Sequence, residues 1–215
     1  MMRSKLVVDT YYTMEAYDEL EYLICKILFH GAPTLFGGKI ASLISFKHNR
    51  RRNALKLWDQ HRKEIKQYIP LNFCELSRDE KHVVVLFYHS KRLEQSLEEK
   101  ECSCFLKSCG YSCPKDINGS LNTLRQRYMQ KCPHEIGVFL GYPIDDVKIF
   151  ASGDQAEPMA IGYWKVYSKV NEALKTFAQY DKARENVTAS LLSGTHPMQV
   201  LHKLRQYCDS EFVVA

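Results

Sequence analysis

The spacing of apolar residues along the chain predicts alternating helices and strands. Residues 14–30 carry apolar side chains at helical intervals. The run HVVVLFY (82–88) is apolar on both faces, which is typical of a central strand, and SRDEK joins it to LNFCEL (71–76) in an antiparallel hairpin. Similar patterns predict strands at 41–46, 135–141 and 162–168, and helices at 49–69, 90–108, 120–130, 143–151, 169–192 and 198–207.

This alternation favours a single-domain layered α/β fold with a mixed, partly parallel sheet flanked by helices. The 215 residues suit one domain, and we find no internal repeat or linker. No apolar run is long enough to span a bilayer, and the first residues lack the apolar core of a secretory signal. We therefore expect a cytoplasmic protein whose eight cysteines are mostly free thiols.

The stretch HGAPTLFGGKIASL (30–43) superficially suggests a phosphate-binding loop. Such a loop needs Gly, four residues, then Gly-Lys-Ser/Thr, placed between a strand and a helix. Here Pro33 stands where the first glycine belongs, and Ile40 stands where the hydroxyl belongs. The segment also follows a predicted helix and leads into a strand. We therefore interpret it as a loop that connects the first helix to the sheet.

Three blocks carry a family resemblance: HGAPTLFGGKIASLISF (30–46), PHEIGVFLGYPIDDV (133–147) and GYWKVY (162–167). Their order and spacing resemble domain-of-unknown-function family 3793, which is found mainly in anaerobic bacteria. In that family the first block often has a cysteine where this chain has Gly31, so we assign no cysteine chemistry there. The resemblance strengthens the expected fold and compartment, and it implies no particular activity.

Basic residues cluster where predicted strands lead into helices, in FKHNRRRN (46–53), in YHSKRL (88–93) and at Lys169. Each cation at a helix N-terminus opposes the helix dipole at a cost of roughly 0.3–1 kcal/mol, and a bound anion would offset that conflict. The carboxyl ends of parallel strands meet at one edge of a sheet, where ligands bind. The alternative is a solvated basic surface without a ligand.

The candidate site combines these cations with two turns and two histidines. Gly141 permits close backbone approach, and Tyr142 could stack on a ligand. The candidate ligand-binding residues are Lys39, Lys47, Arg50, Lys91, Arg92, Gly141, Tyr142 and Lys165. If the protein is an enzyme, we expect His30 and His134 to be its acid–base groups, with Lys39 or Lys165 stabilising charge. Alternation along the strand 135–141 would turn His134 and Glu135 to opposite faces.

Four cysteines, Cys102, Cys104, Cys109 and Cys113, lie close together in the sequence. On a helix, Cys102 and Cys109 share a face while Cys104 points elsewhere, which does not match the usual zinc spacing. Buried thiols are the simpler interpretation, so we assign no metal and no cofactor.

Three functional hypotheses follow. The first is a protein that binds a small anionic ligand, such as a nucleotide or phosphorylated cofactor, at the strand-to-helix edge. The alternative is a non-catalytic regulatory or interaction protein that docks an acidic protein partner through the basic helix 49–69. Nucleic-acid binding is disfavoured, because the net charge is only +5 and no nucleic-acid motif is present. No catalytic motif that would specify a reaction is present.

Overall fold

The computed structural model describes residues 10–49, 52–153 and 156–203. Residues 10–15 and 197–203 form short helical segments, which are left out of the numbering that follows. The helices are α1 (Glu19–Phe36), α2 (Ala54–Tyr68), α3 (Ser90–Glu98), α4 (Lys100–Ser108), α5 (Ile117–Tyr128), α6 (Ile136–Phe139), α7 (Ile144–Ser152) and α8 (Val170–Leu192). The strands are β1 (Ala41–Lys47), β2 (Asn72–Arg78), β3 (His82–Tyr88), β4 (Ala160–Ile161) and β5 (Lys165–Val166).

A three-stranded antiparallel sheet lies at the centre of the fold. Its order is β1-β3-β2, so the predicted central strand and the predicted hairpin are both confirmed. Ala41 pairs with Tyr88 at one end of the sheet, and Lys47 pairs with His82 at the other. A separate antiparallel pair joins β4 to β5. The mixed α/β class is therefore confirmed.

The expected partly parallel sheet is not found, because every strand pair within the described ranges is antiparallel. A partly parallel sheet would have needed the further strands predicted at 135–141 and 162–168. The predicted strand 135–141 is instead the short helix α6 with its flanking turns, and the strand 162–168 shrinks to the two residues of β5. A short apolar run fits a buried helix as well as a buried strand, since periodicity alone does not separate them.

The segment predicted as a loop from His30 to Lys39 is helical as far as Phe36. Asp18 caps the start of α1 by accepting a hydrogen bond from the Glu21 amide at 2.8 Å. Pro33 lies inside the helix, and its carbonyl accepts from the amides of Gly37 and Lys39 at 2.9 and 3.0 Å. Burial of this last part of α1 outweighs the hydrogen bond that a proline cannot donate.

Two other predicted helices differ in detail. Helix α2 begins at Ala54 with Asn53 as its N-cap, so the predicted start at residue 49 is too early. The predicted helix 90–108 is broken at Glu99, whose φ of −55° and ψ of 129° end α3 and begin α4. Leu97 and Cys102 are five residues apart, which would turn their side chains apart on a continuous helix. The break lets both side chains join one apolar cluster.

Helices cover both faces of the central sheet. Ile44, Phe46 and Val85 pack towards α1, α2 and α8, in the larger apolar cluster. Leu86 and Tyr88 belong to a second cluster, which contains residues of α3 to α7. Trp164 and neighbouring residues form a third cluster, and Tyr142 packs against both the second and the third. In the part of the chain that the structure describes, no helix has the length and apolarity needed to cross a membrane.

Candidate functional site

A cavity of about 380 Å³ lies between α6, α7 and the strand β5. Its size falls within the range of small-molecule sites, which are largely apolar with a few polar groups. Three sequence-predicted site residues, His134, Tyr142 and Lys165, line it together. The other lining residues are Cys132, Pro133, Ile136, Gly137, Asp146, Val147, Phe150 and Trp164.

Asp146 fixes one wall of this cavity. The residue is only 2% exposed, and one carboxylate oxygen accepts from the Trp164 indole nitrogen at 2.8 Å. The other oxygen accepts from the amides of Tyr167 and Ser168, both at 2.9 Å, and from the Ser168 hydroxyl at 3.1 Å. These bonds tie the segment 164–168 to the first turn of α7. Together they satisfy a carboxylate that would otherwise be costly to bury.

The same tether holds a strained backbone. Lys169 follows directly after Ser168 and has φ 47° and ψ 46°, in the left-handed region. A non-glycine residue in this conformation needs support from its surroundings, and such residues cluster at functional sites. The bonds from Ser168 to Asp146 supply that support, so the start of α8 is fixed relative to the cavity wall.

Aromatic rings form the inner part of the cavity. Tyr142 stacks on Trp164, with ring centroids 5.1 Å apart and an angle of 29° between the planes. Burial raises the pKa of the Tyr142 hydroxyl to about 12, so the residue is a neutral phenol at physiological pH. A flat, neutral aromatic pair of this kind offers apolar contact and stacking to a planar ligand.

Lys39 lies behind this stack. Its ammonium group is 5.2 Å from the centroid of the Tyr142 ring, and it donates a hydrogen bond to the Ala41 carbonyl. The side chain is 4% exposed. Burial, with a smaller contribution from Arg184, lowers the pKa of Lys39 to about 7. Lys39 is outside the set of residues that line the cavity, and its contact with the site is through the Tyr142 ring.

At the mouth of the cavity, Phe150 lies beside both candidate polar groups. The Lys165 ammonium is 5.4 Å from the Phe150 ring centroid, and the His134 ring is 5.0 Å from it. Phe150 is 41% exposed, and both Lys165 and His134 are exposed. The cavity thus has an aromatic interior and a cationic or hydrogen-bonding rim, which suits a ligand with one flat end and one anionic end.

Gly141 allows two segments of the chain to pack closely, as its place in a turn suggests. Its φ is 75°, and a Cβ there would lie 2.8 Å from Cγ1 of Ile40. The glycine therefore lets the turn that carries Tyr142 approach the chain that carries Lys39. In this way it brings two of the predicted site residues together without touching the cavity itself.

The predicted cations Lys47, Lys91 and Arg92 do not line the cavity. Lys47 lies at the opposite end of β1 from Ala41, so the expectation that the junctions share one edge is wrong for this residue. The reason is that β1 and β3 are antiparallel, and their carboxyl ends lie at opposite edges of the sheet. Lys91 and Arg92 begin α3 at the Tyr88 end and do not line the cavity. Arg50 lies outside the described residues.

His30 also lies away from the cavity. It is on α1, where its Nε2 is 3.2 Å from the Tyr11 hydroxyl oxygen. Burial, together with smaller contributions from the neighbouring Lys26 and Arg184, lowers the pKa of His30 to about 4. The ring is therefore neutral at physiological pH. Since His134 lines the cavity and His30 does not, the two histidines do not form a single acid–base pair in this cavity.

The strand argument that separated His134 from Glu135 is wrong, because both lie in the turn that leads into α6. They nevertheless differ sharply in environment. His134 is exposed, whereas Glu135 is 3% exposed and pairs with Arg127 and with the Tyr111 hydroxyl, the latter at 3.3 Å.

The cysteines show no shared site. Cys102 is buried, Cys109 is half-buried, and Cys104 and Cys113 are exposed. Across the described ranges, no group of three or more His, Cys, Asp or Glu side chains is arranged to hold a metal ion. Burial raises the pKa of the Cys102 thiol to about 11, with a further contribution from Glu99.

Sequence reasoning missed Asp146, Trp164 and Phe150 as parts of the site. Sequence spacing does not indicate that these residues come together, because Asp146 and Trp164 are 18 residues apart and lie in different parts of the fold. The family-like blocks PHEIGVFLGYPIDDV and GYWKVY were the available signal, since they contain all the aromatic wall except Phe150.

A family model described as "Protein of unknown function (DUF3793)" matches residues 27–201, a range that includes all the residues lining the cavity. Neither the comparison with curated proteins nor that with solved structures found a match.

Proposed function

Since the chain belongs to the DUF3793 family of proteins of unknown function, we propose a function from its own cavity: it binds a small ligand with a planar ring and an anionic group. The ring would stack in the aromatic interior, against Tyr142 and Trp164. The anionic group would lie at the rim, near Lys165 and His134. Nucleotides and phosphorylated aromatic cofactors belong to this chemical class.

The observation that carries the proposal is the placement of Lys165. Its ammonium lies 5.4 Å from the Phe150 ring centroid, at the edge of a cavity whose lining is mainly apolar or aromatic and whose one carboxylate, Asp146, is fully hydrogen-bonded within the fold. The side chain has no carboxylate partner among the described residues. An exposed ammonium beside an apolar cavity is well placed to pair with the charged end of a ligand whose ring is buried.

Paired compounds test this proposal. We would titrate the protein with AMP and adenosine, with riboflavin 5′-phosphate and riboflavin, and with pyridoxal phosphate and pyridoxal, using calorimetry. We expect at least one phosphorylated compound to bind, and to bind more tightly than its dephosphorylated partner. The variant Lys165→Met keeps the apolar stem and removes the charge. It should reduce that affinity about tenfold, which corresponds to about 1.4 kcal/mol.

Two further variants separate the roles of ring and charge. Phe150→Ala should weaken both members of a pair, because it removes a ring contact that does not depend on charge. Lys175→Met changes an exposed lysine of α8 that does not line the cavity, so it should leave both affinities unchanged. Native mass spectrometry of the purified protein would detect a ligand that is already bound. A panel without binding, together with a bare chain mass, would rule against the proposal.

A second candidate function is the docking of an acidic protein partner through α2. The observation that favours it is a row of exposed lysines, Lys56, Lys63 and Lys66, on the outer face of the helix. Part of the basic character predicted for this region is used inside the fold. Arg62 pairs with Glu75 at 2.7 Å, and Arg52 donates to the Tyr17 carbonyl at 2.6 Å.

Docking through α2 differs from ligand binding in its response to salt. A polyglutamate peptide would serve as the acidic probe, and binding would be measured at 50 and 300 mM NaCl. Docking predicts graded losses for Lys56→Ala, Lys63→Ala and Lys66→Ala, with weaker binding at the higher salt concentration. Equal binding by the triple variant and the unaltered protein would exclude this surface.

A further inference from the structure

A second cavity adjoins the aromatic one. It has a volume of about 590 Å³, and both cavities are lined by Cys132, Pro133 and His134. Helix α7 contributes to both, with Phe150 facing the first cavity and Lys148 the second. The two spaces are therefore neighbours, with the turn before α6 as their common wall.

The side chains that line the second cavity carry more positive than negative charge. Arg127, Lys131 and Lys148 line it, and the only carboxylate in its described lining is Glu135. Glu135 is buried and is neutralised by the Nε of Arg127, while the terminal nitrogens of Arg127 bond to no other described residue. Lys148 pairs at 3.3 Å with Glu101, whose side chain is 65% exposed, so this pair is solvated and easily exchanged for another anion.

The two cavities differ in chemistry in a way that matches the two ends of one molecule. The first is lined mainly by aromatic and apolar side chains, whereas the lining of the second includes the three cations Arg127, Lys131 and Lys148. His134 lies at their junction, where it can donate to an anionic oxygen. The second cavity is also larger than the first, which leaves room for more than a single phosphate group.

We propose that the second cavity binds the diphosphate or longer phosphate chain of the ligand whose ring occupies the aromatic cavity. This inference rests on the proposed function and narrows its ligand class to nucleoside diphosphates, nucleoside triphosphates or cofactors with a pyrophosphate group. Lys131 and Lys148 contact the outer phosphates, and Arg127 completes the site through its terminal nitrogens. His134 contacts the phosphate nearest the ring.

The test uses inorganic pyrophosphate and the series AMP, ADP and ATP, measured by calorimetry at low salt. Pyrophosphate probes the second cavity alone, and the nucleotide series probes both cavities together. The variant with Lys131→Ala and Lys148→Ala removes two cations without disturbing the Arg127–Glu135 pair. Lys175→Ala is the matched control, and circular dichroism checks that every variant is folded.

We expect ADP to bind about tenfold more tightly than AMP to the unaltered protein and to the Lys175→Ala variant. The double variant should lose this gain while keeping its affinity for AMP. Pyrophosphate alone should bind to the unaltered protein and lose at least tenfold in affinity in the double variant. Phe150→Ala should leave pyrophosphate binding unchanged, because that residue lines only the aromatic cavity.

The outcomes separate this inference from the proposed function. Nucleotide affinities that do not depend on the number of phosphate groups would overturn the inference and leave ring binding intact. Pyrophosphate binding that is equally tight in the unaltered protein and in the double variant would do the same. Lysine-dependent binding of pyrophosphate without binding of any ring compound would support the phosphate site and refute the ring proposal.

Discussion

The carboxylate of Asp146 accepts a hydrogen bond from the indole nitrogen of Trp164 at 2.8 Å, and this bond orients one ring of the aromatic stack. The other oxygen of Asp146 holds the backbone of residues 167 and 168. One buried side chain thus couples the shape of the cavity wall to the start of α8. We therefore expect the free energy of unfolding to depend on both carboxylate oxygens of Asp146, since each of them accepts hydrogen bonds.

Asp146→Asn should lower the free energy of unfolding by about 2–3 kcal/mol. The amide has one acceptor oxygen, and its NH₂ group would face a donor, which leaves a buried polar group without a partner. Urea denaturation followed by circular dichroism measures the change. Asp145→Asn is the matched control, because Asp145 is the exposed neighbour in the same helical turn and should change stability by less than about 0.5 kcal/mol. Equal effects of the two substitutions would contradict the tethering role.

Lys39 should make stability rise with pH above neutrality. Its pKa is about 7 in the folded protein and ordinarily 10.5, so between these values the unfolded chain binds a proton that the folded chain does not. The free energy of unfolding then increases with pH in that window, by at most about 1.4 kcal/mol per pH unit. Lys39→Met should flatten this rise. The substitution also removes the hydrogen bond to Ala41, but this loss is the same at each pH and does not change the slope.

The comparison of slopes at pH 7, 8 and 9 isolates this effect, since other titrating groups are common to both proteins. Urea denaturation at each pH gives the two slopes, and Lys175→Met is the control for the loss of an exposed lysine. Parallel pH profiles for the unaltered protein and Lys39→Met would show that Lys39 keeps an ordinary pKa in the folded protein.

Gly141 and Gly153 form a natural pair for separating backbone strain from crowding. Their φ values are 75° and 73°, but a Cβ on Gly141 would meet Ile40 at 2.8 Å, whereas one on Gly153 would meet nothing within 4 Å. Gly153→Ala should cost about 1 kcal/mol through backbone strain alone. Gly141→Ala should cost about 2–4 kcal/mol, because overpacking adds to the strain.

A double-mutant cycle checks the crowding component. In the Ile40→Ala background, Gly141→Ala should be less costly by about 1 kcal/mol or more, whereas the cost of Gly153→Ala should be unchanged. Thermal and urea denaturation both report these differences. If the two glycine substitutions cost the same in the unaltered protein, close approach to Ile40 is not what requires a glycine at position 141.

The cysteines should differ widely in reactivity. Burial raises the pKa of the Cys25 thiol to about 12, so almost no thiolate is present at pH 7.5, and the side chain is inaccessible. Cys104 and Cys113 are exposed. Under native conditions, iodoacetamide should modify these two at least tenfold faster than Cys25, as followed by peptide mass spectrometry. Labelling of all three at one rate would mean that α1 is not packed as described.

Local patterns predicted the parts of the fold that are stabilised locally. The hairpin from Asn72 to Tyr88 was found because its turn residues and the apolar run of β3 lie side by side in the sequence. The strand expected at 135–141 was wrong, because four consecutive buried apolar residues fit a turn of helix equally well. The loop predicted around Pro33 was wrong for a similar reason, because only packing against distant elements shows that α1 continues past this proline.

Those parts of the candidate site that residue type alone indicates could be predicted from the sequence. His134, Tyr142 and Lys165 were identified from residue type, and they meet in one cavity. Lys47 was misplaced because strand direction decides which ends share an edge, and the sequence did not specify that direction. The role of Asp146 depends on partners 18 to 22 residues away, which no spacing rule connects.

The packing of α1 against α8 has a consequence for synthesis on the ribosome. Ala183, Val187 and Leu191 of α8 complete the apolar cluster that contains most of α1, and Arg184 lies over Phe29 with 5.9 Å between guanidinium and ring centroid. The ribosome releases α1 long before α8 has been made. The nascent chain therefore exposes the face of α1 that α8 later covers, and apolar surface exposed in this way during synthesis favours aggregation.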